Sequence, residues 1–208
     1  LFVSLIRAPA HAMFVIDVES ANLLPGDVGL LDVLISSDVV PPGNLVALAN
    51  FELRITPALG TTSTLELINP QNNAYNLDPN YVFFRNSTGP LRLVSSVLQP
   101  NDTLTGGDAT ADTLDVNVTS SRLLARLEID HNFPVGTDPG STVGHSFTID
   151  LLPSANTSFW DSTLTPCSFT SNSGTVYVVA EPSTLLGGLC AAAGLLIRCC
   201  RGGFPAKA

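Results

Sequence analysis

The sequence predicts an all-β fold: an antiparallel β-sandwich of the jelly-roll kind with about nine strands, followed by one C-terminal hydrophobic helix. Three observations support this. Short segments alternate between apolar and polar residues, as strands with one solvated side do. Turn-forming residues separate these segments, and charged residues make up only 13% of the chain. Apolar residues with helical spacing are absent before residue 184.

The first third of the chain gives the clearest strands. Four are predicted, at residues 14–19, 30–36, 47–56 and 65–68. Pro25-Gly26 marks a turn between the first two. The third alternates most strictly and places one apolar set on a single face, namely Ala47, Ala49, Phe51, Leu53 and Ile55. A polar loop is expected at residues 69–80.

Further strands are predicted at residues 81–84, 91–98, 114–118, 123–130, 146–152 and 175–179. Residues 100–112 are acidic and rich in Gly, which predicts a loop. Phe159-Trp160 is the largest aromatic block, and we expect it to plug the core at the end of a sheet.

Several of these segments together resemble cohesin modules. They are Leu24-Pro25-Gly26-Asp27, residues 48–55, the pair 123–127 and 140–149, and the ending 159–161 with 172–178. The resemblance spans most of residues 13–179. It implies a nine-stranded sandwich, shared with several carbohydrate-binding modules, and a dockerin-type protein or an exopolysaccharide as partner. Polysaccharide binding would need exposed aromatic rings, for which the candidates are Tyr75, Tyr81, Phe84 and Trp160.

The C-terminal segment has an order of residues that is typical of a membrane anchor. Glu181-Pro182-Ser183 precedes an uncharged stretch at residues 185–197, and Arg198 and Arg201 follow it. Its large apolar residues are Leu185, Leu186, Leu189, Leu195, Leu196 and Ile197. Arginine crosses lipid at high cost, so the positive end should stay in the cytoplasm. A helix over this stretch would be about 20 Å long, against about 30 Å of hydrocarbon, so a buried core helix is the alternative.

This order of motif, apolar helix and arginine resembles the PEP-CTERM sorting signal of Gram-negative bacteria. Glu181, Pro182 and Ser183 stand at the motif positions, with Ala180 where the family usually has Pro. The resemblance implies an inner-membrane anchor that an exosortase-like enzyme processes, with Arg198 and Arg201 fixing the orientation.

The chain is accordingly divided into three parts. Residues 1–12 are predicted to be a truncated signal peptide, because an apolar start precedes Ala10-His11-Ala12, which has the shape of a cleavage site. Residues 13–179 form the sandwich domain, and residues 180–208 form the sorting signal. The expected location is outside the cytosol, anchored to the inner membrane and then at the cell surface or extracellular.

The charge of the domain excludes one class of partner. All 18 acidic residues lie between Asp17 and Glu181, and only five arginines accompany them, which gives this span a net charge of −13. Such a body repels nucleic acid. Cys167 is the only cysteine in the domain, so neither an internal disulfide nor a zinc site is expected there.

Chemical sites are sparse in the sequence, and an enzyme is not predicted. Residues 140–144 have Thr142 at the position where the Gly-x-Ser-x-Gly motif of a nucleophile elbow needs serine. His131 and His145 are therefore expected in loops or at sheet edges. No cofactor is predicted. Calcium has weak candidates in Asp102, Asp108 and Asp112, because carboxylates in a Gly-containing loop suit Ca²⁺, although a solvated acidic loop is the preferred interpretation.

These observations predict an exported structural or adhesive protein of the cell surface or extracellular matrix, sorted through its C-terminal membrane anchor. The alternative is a cohesin-like or carbohydrate-binding module that recognises a protein partner or a polysaccharide.

Overall fold

Alternating apolar and polar residues form strands here because successive side chains of a strand point to opposite faces of its sheet. The computed structural model describes residues 13–37 and 44–181. These contain 3₁₀ turns at Ala74–Leu77 and Pro139–Thr142 and fourteen strands. The strands are β1 (Met13–Val18), β2 (Ala21–Leu23), β3 (Val28–Ser37), β4 (Leu45–Val46), β5 (Leu48–Pro57), β6 (Thr64–Leu67), β7 (Leu91–Ser95), β8 (Thr103–Ala109), β9 (Val116–Asn117), β10 (Arg122–Asn132), β11 (Ser146–Leu151), β12 (Ser158–Trp160), β13 (Pro166–Asn172) and β14 (Gly174–Val178).

Two layers of strands enclose the core. The first sheet has the order β6-β10-β3-β1-β13, and the second has β7-β8-β5-β11-β14-β2. β11 and β12 lie end to end along the same edge of β5. β12 pairs with the first residues of β5, and β11 pairs with its last residues. β13 pairs with both β12 and β1, so it carries hydrogen bonding from one sheet to the other. β4 and β9 form a separate two-stranded ribbon.

Most pairs are antiparallel, as predicted, but β1–β13 and β14–β2 are parallel. The inward residues of both sheets form one apolar core. Its largest fully buried side chains include Phe14, Tyr81, Phe83, Phe147 and Phe159. The all-β sandwich that the sequence predicts is therefore confirmed.

Three local predictions are wrong. Residues 81–84 form a turn with a single bridge at Tyr81 rather than a strand, although Tyr81, Val82 and Phe83 are buried. Residues 103–109, expected in a loop, form β8 between β5 and β7. Phe159 and Trp160 belong to strand β12, where Phe159 pairs with Cys167, so they are part of a sheet rather than a plug at its end.

The predicted signal peptide (1–12), Pro182, Ser183, the apolar helix (185–197) and both orienting arginines lie outside the described residues. Within residues 13–37 and 44–181, the structure contains no helix with the length and apolar character that a membrane crossing requires.

Candidate functional site

A groove of about 380 Å³ lies on the outer face of the second sheet, where β8 and β5 form its floor. The loop before β7 forms one wall, and the loop between β11 and β12 forms the other. The groove is lined by Leu48, Asn50, Thr88, Gly89, Leu91, Thr105, Gly106, Gly107, Asp108, Ala109, Ala155 and Asn156. Its volume lies within the range of ligand-binding pockets in proteins.

The floor of the groove is open because β8 carries glycine where a side chain would project outward. Gly107 lies directly opposite Asn50 on β5, and a Cβ built on Gly107 would collide with Asn50 Oδ1. Glycine inside a strand commonly marks such a close approach. The carboxamide of Asn50 therefore lies over backbone, and it forms no side-chain hydrogen bond within the described residues. It keeps both donors and its acceptor available for a partner.

The wall beside β7 is fixed from inside by the buried carboxylate of Asp108. Asp108 accepts hydrogen bonds from Tyr81 Oη at 2.7 Å, Thr88 Oγ1 at 3.0 Å and Ser87 Oγ. Burial, together with the neighbouring Tyr75 and Asp108, raises the pKa of Tyr81 far above its ordinary value, so its hydroxyl remains a donor. These bonds hold residues 87–89 rigid, and Leu91, which is 62% exposed, forms the apolar lip.

The opposite wall is held by Glu52, which is two residues along β5 from Asn50. Its carboxylate accepts hydrogen bonds from Ser154 Oγ at 2.6 Å and Asn156 Nδ2 at 3.0 Å. Those two bonds lower the pKa of Glu52. Both walls are thus set before any partner arrives, which reduces the entropy that binding has to overcome.

The three calcium candidates are not brought together. Asp102 accepts from the backbone N–H groups of residues 97–99, Asp108 fixes the groove wall, and Asp112 accepts from Asn86 Nδ2 at 2.8 Å. No group of three or more His, Cys, Asp or Glu side chains within the described ranges is placed to hold a metal ion.

The sorting-motif residue Glu181 is the last one that the structure describes, and it is exposed beside Pro25 and Val143. Of the aromatic candidates for sugar stacking, Tyr75 and Tyr81 are buried, and Phe84 and Trp160 are half-buried. Tyr75, which the sequence placed in a loop, packs edge-on against Tyr81 at 5.1 Å between ring centroids.

The prediction for His131 is wrong. It is fully buried in β10 and not in a loop or at an edge, because it faces the core at a position opposite Leu65. His145 precedes β11, and its Nδ1 lies 2.7 Å from Ser63 Oγ. No carboxylate among the described residues hydrogen-bonds to the His145 ring, so the arrangement lacks the orienting acid of a Ser-His-Asp triad.

The sequence did not identify Asn50, Gly107 or Leu91 as site residues. The signal was present, since Gly106-Gly107 interrupts an otherwise alternating segment. Adjacent glycines are more common in loops than in strands, so the local pattern predicts a loop here.

No family model matches the chain, and the comparison with curated proteins gives no match. Its fold is similar to cohesin structures. The sixth cohesin of scaffoldin B from Acetivibrio cellulolyticus, in complex with Cel5 dockerin, aligns with TM-score 0.52 and 17% identity over 79% of this chain and 98% of that one. The cohesin CaCohA2 of Clostridium acetobutylicum, in complex with CaDoc0917, aligns with TM-score 0.51 and 15% identity over 80% of this chain and 99% of that one.

A third cohesin structure agrees with these two. The third cohesin of ScaC from Acetivibrio cellulolyticus, in complex with the ScaB dockerin, aligns with TM-score 0.50 and 16% identity over 81% of this chain and 100% of that one. At such low identity these similarities establish a cohesin-like fold and leave function to be argued from the surface.

Proposed function

We propose that residues 13–181 form a binding module that holds a protein partner in the groove on the outer face of the second sheet. The observation that carries this proposal is the carboxamide of Asn50, which no described side chain engages, over the glycine floor and between two walls fixed by Glu52 and Asp108. An uncommitted amide in a prebuilt groove can pair with the main chain of a partner.

The chain already contains one example of such pairing. The carboxamide of Gln71 donates to the carbonyl of Glu128 at 2.8 Å and accepts from its N–H at 2.9 Å. Asn50 would likewise donate one hydrogen bond to a carbonyl of the partner's main chain and accept one from an N–H group. Leu91 and Leu48 would provide apolar contacts around it.

The similarity to cohesins in complex with dockerins supports a protein as partner, and it agrees with the prediction that the chain is not an enzyme. Polysaccharide as ligand has less support, because Tyr75 and Tyr81 present no open ring face for stacking on a sugar.

The test is a pull-down with the full chain against a panel of dockerin modules, including the Cel5 dockerin, and against insoluble polysaccharides. We expect a dockerin-type module to be retained, and Asn50→Ala or Leu91→Ser to weaken its binding about tenfold. Leu59→Ser, fully exposed in the turn after β5 and outside the groove, is the matched control. Retention by polysaccharide alone, or equal dockerin binding by groove variants and control, would contradict the proposal.

We also propose that the protein is exported and anchored through residues 181–201, with an exosortase-like enzyme acting near Glu181-Pro182. The support is the order of Glu-Pro, an uncharged stretch and arginines, which begins three residues after β14 ends at Val178. Replacing Glu181-Pro182 by Ala-Ala should leave unprocessed protein in the membrane. Mass spectrometry of membrane and medium fractions checks this, and unchanged release of a shortened form would disprove it.

A further inference from the structure

The outer face of the first sheet carries a second, differently built surface. Val28 and Leu30 on β3 project outward and are 60% and 57% exposed, and Leu77 beside them is 74% exposed. A cleft of about 400 Å³ opens there, and its lining includes Leu30, Tyr75, Leu77, Asp78, Arg126 and Glu128. Large apolar side chains grouped around a cleft commonly mark an interaction site.

Carboxylates surround this apolar group. Glu66 on β6 lies directly opposite Asp130 on β10, and Asp130 is in turn opposite Val28 on β3. Glu128, two residues along β10, is opposite Leu30. Like charges directly opposite one another in a sheet are unfavourable. Within the described part of the chain, none of these three carboxylates forms an ion pair.

Arg126, the nearest cation on this face among the described residues, is already engaged in an ion pair. Arg126 Nε and Nη2 bind the two oxygens of Asp32 at 2.6 and 2.7 Å, and Nη2 lies 3.8 Å from Asp78. The hydrogen bonds to Asp32 raise the pKa of Arg126. Among the described residues, Glu66 and Asp130 therefore have no cation paired with them, and Glu128 has only the buried guanidinium of Arg92 nearby.

The wall of the cleft is preformed. Arg92, on β7 of the second sheet, donates from Nη1 to the carbonyl of Arg126 at 2.6 Å, and its guanidinium stacks 4.2 Å from the Tyr75 ring centroid. Gln71 ties the same loop to the backbone of Glu128. Leu77 is thus exposed on a loop that is fixed at several points, as preorganised binding surfaces are.

We propose that this face is a second docking surface, independent of the groove, for a cationic amphipathic segment of another protein. Lysine or arginine side chains would neutralise Glu66, Asp130 and Glu128, and an apolar side chain would enter the cleft between Leu30 and Leu77. Charge complementarity selects such a partner, because these carboxylates repel an anionic chain, including a second copy of this one with its net charge of −13 between Asp17 and Glu181.

The test measures binding of the full chain to three probes: a synthetic peptide of alternating Lys and Leu, a matched Lys-Ser peptide, and spermine. We expect the Lys-Leu peptide to bind at least about tenfold more tightly than the other two, with an affinity that falls as salt rises. Equal binding of Lys-Ser or spermine would overturn the proposal, since the apolar group would then contribute nothing.

Variants then locate the site. All the substituted residues are exposed or half-exposed, so the fold should persist, and circular dichroism checks that it does. Glu66→Gln/Asp130→Asn and Leu30→Ser/Leu77→Ser should each weaken Lys-Leu binding about tenfold. Leu93→Ser and Asp150→Asn, on the second sheet, are the matched controls and should leave it unchanged. Equal effects of the two sets would overturn the proposal and leave the dockerin test untouched.

Discussion

His131 Nδ1 accepts a hydrogen bond from the backbone N–H of Gly26 at 3.1 Å, although 105 residues separate the two along the chain. This bond ties the turn between β2 and β3 to the end of β10. Burial, and then the neighbouring His145, lower the pKa of His131, while Asp130 opposes them. The Nε2 atom, which carries the proton of the neutral ring, is buried without a partner among the described residues. A second proton would go to Nδ1, where it would face the N–H of Gly26 and break this hydrogen bond.

Stability should therefore fall in mild acid. The unfolded chain takes up a proton near the ordinary histidine pKa of about 6.5, whereas the folded protein resists protonation until a lower pH. The contribution of His131 to the free energy of unfolding is fully present above the unfolded-state pKa and decreases as the pH falls towards the folded pKa. Its slope with pH corresponds to the uptake of at most one proton on unfolding. Urea unfolding at a series of pH values measures the slope.

His131→Asn keeps an acceptor near the Nδ1 position and does not titrate. It should be less stable at neutral pH because it leaves a cavity, and its stability should change less between pH 7 and pH 5. An unchanged pH slope in this variant would contradict the assignment of the acid sensitivity to His131.

Asp102 should be among the most sensitive polar positions. Its carboxylate accepts from the N–H groups of Val97, Leu98 and Gln99 at 2.7, 2.6 and 2.9 Å. Burial acts to raise its pKa, but these bonds outweigh burial and lower it. In Asp102→Asn, the side-chain NH₂ group would face backbone N–H donors that now bind the carboxylate. The free energy of unfolding, measured with urea, should therefore fall by at least about 2 kcal/mol.

The matched control for Asp102→Asn is Asp27→Asn in an exposed turn, which should change stability by less than about 0.5 kcal/mol. The lowered pKa also fixes the acid behaviour of Asp102. The ionised carboxylate of Asp102 contributes to the free energy of unfolding above the ordinary aspartate pKa, and this contribution is lost as the pH falls through the folded-state pKa. Similar unfolding midpoints for the two variants would contradict the assigned role.

Gly106 and Gly107 are neighbours that should respond differently to alanine. A Cβ on Gly106 would meet the Phe51 ring at 2.6 Å inside the core. One on Gly107 would meet mainly the flexible Asn50 side chain on the outer face, and the Ala49 carbonyl oxygen at 3.1 Å. We expect Gly106→Ala to cost about 1–3 kcal/mol through overpacking. Gly107→Ala should cost less and mainly weaken partner binding. Thermal unfolding and dockerin binding, measured together, separate the two effects, and equal destabilisation would refute the distinction.

The fold class was predictable because the inward positions of β5, β10 and β11 carry apolar residues at a period of two. β8 was missed because Gly106 and Gly107 make room for Phe51 and Asn50, which are residues of another strand. β13 was missed because its residues from Pro166 to Asn172 are mostly polar or exposed. In both strands a long-range neighbour, absent from the local pattern, decides the structure.

The candidate site was less predictable for a related reason. Asn50 and Gly107 are 57 positions apart, and only the pairing of β5 with β8 places one over the other. Tyr75 shows the opposite case, since it lies in a polar stretch of sequence but is buried, because its ring packs against Tyr81 and under the guanidinium of Arg92.

Arg92 provides the last prediction, because it joins the two sheets with a single side chain. Its Nε donates to Tyr75 Oη at 3.2 Å, and its Nη1 donates to Gln71 Oε1 at 3.3 Å and to the Arg126 carbonyl. Burial lowers the pKa of Arg92, while the Tyr75 hydroxyl counteracts this. The compact ammonium of lysine cannot reproduce the planar fork or the stacking, so Arg92→Lys should destabilise the protein by about 2 kcal/mol.

Arg85→Lys is the matched control, because Arg85 is exposed and its guanidinium lies 5.0 Å from the Phe84 ring centroid. It should change stability by less than about 0.5 kcal/mol. Urea unfolding gives both values, with a lower midpoint and an unchanged slope expected for Arg92→Lys. Because Arg92 also supports the loop that carries Leu77, the same variant should weaken Lys-Leu peptide binding. Equal midpoints for the two lysine variants would show that the guanidinium fork does not hold the sheets together.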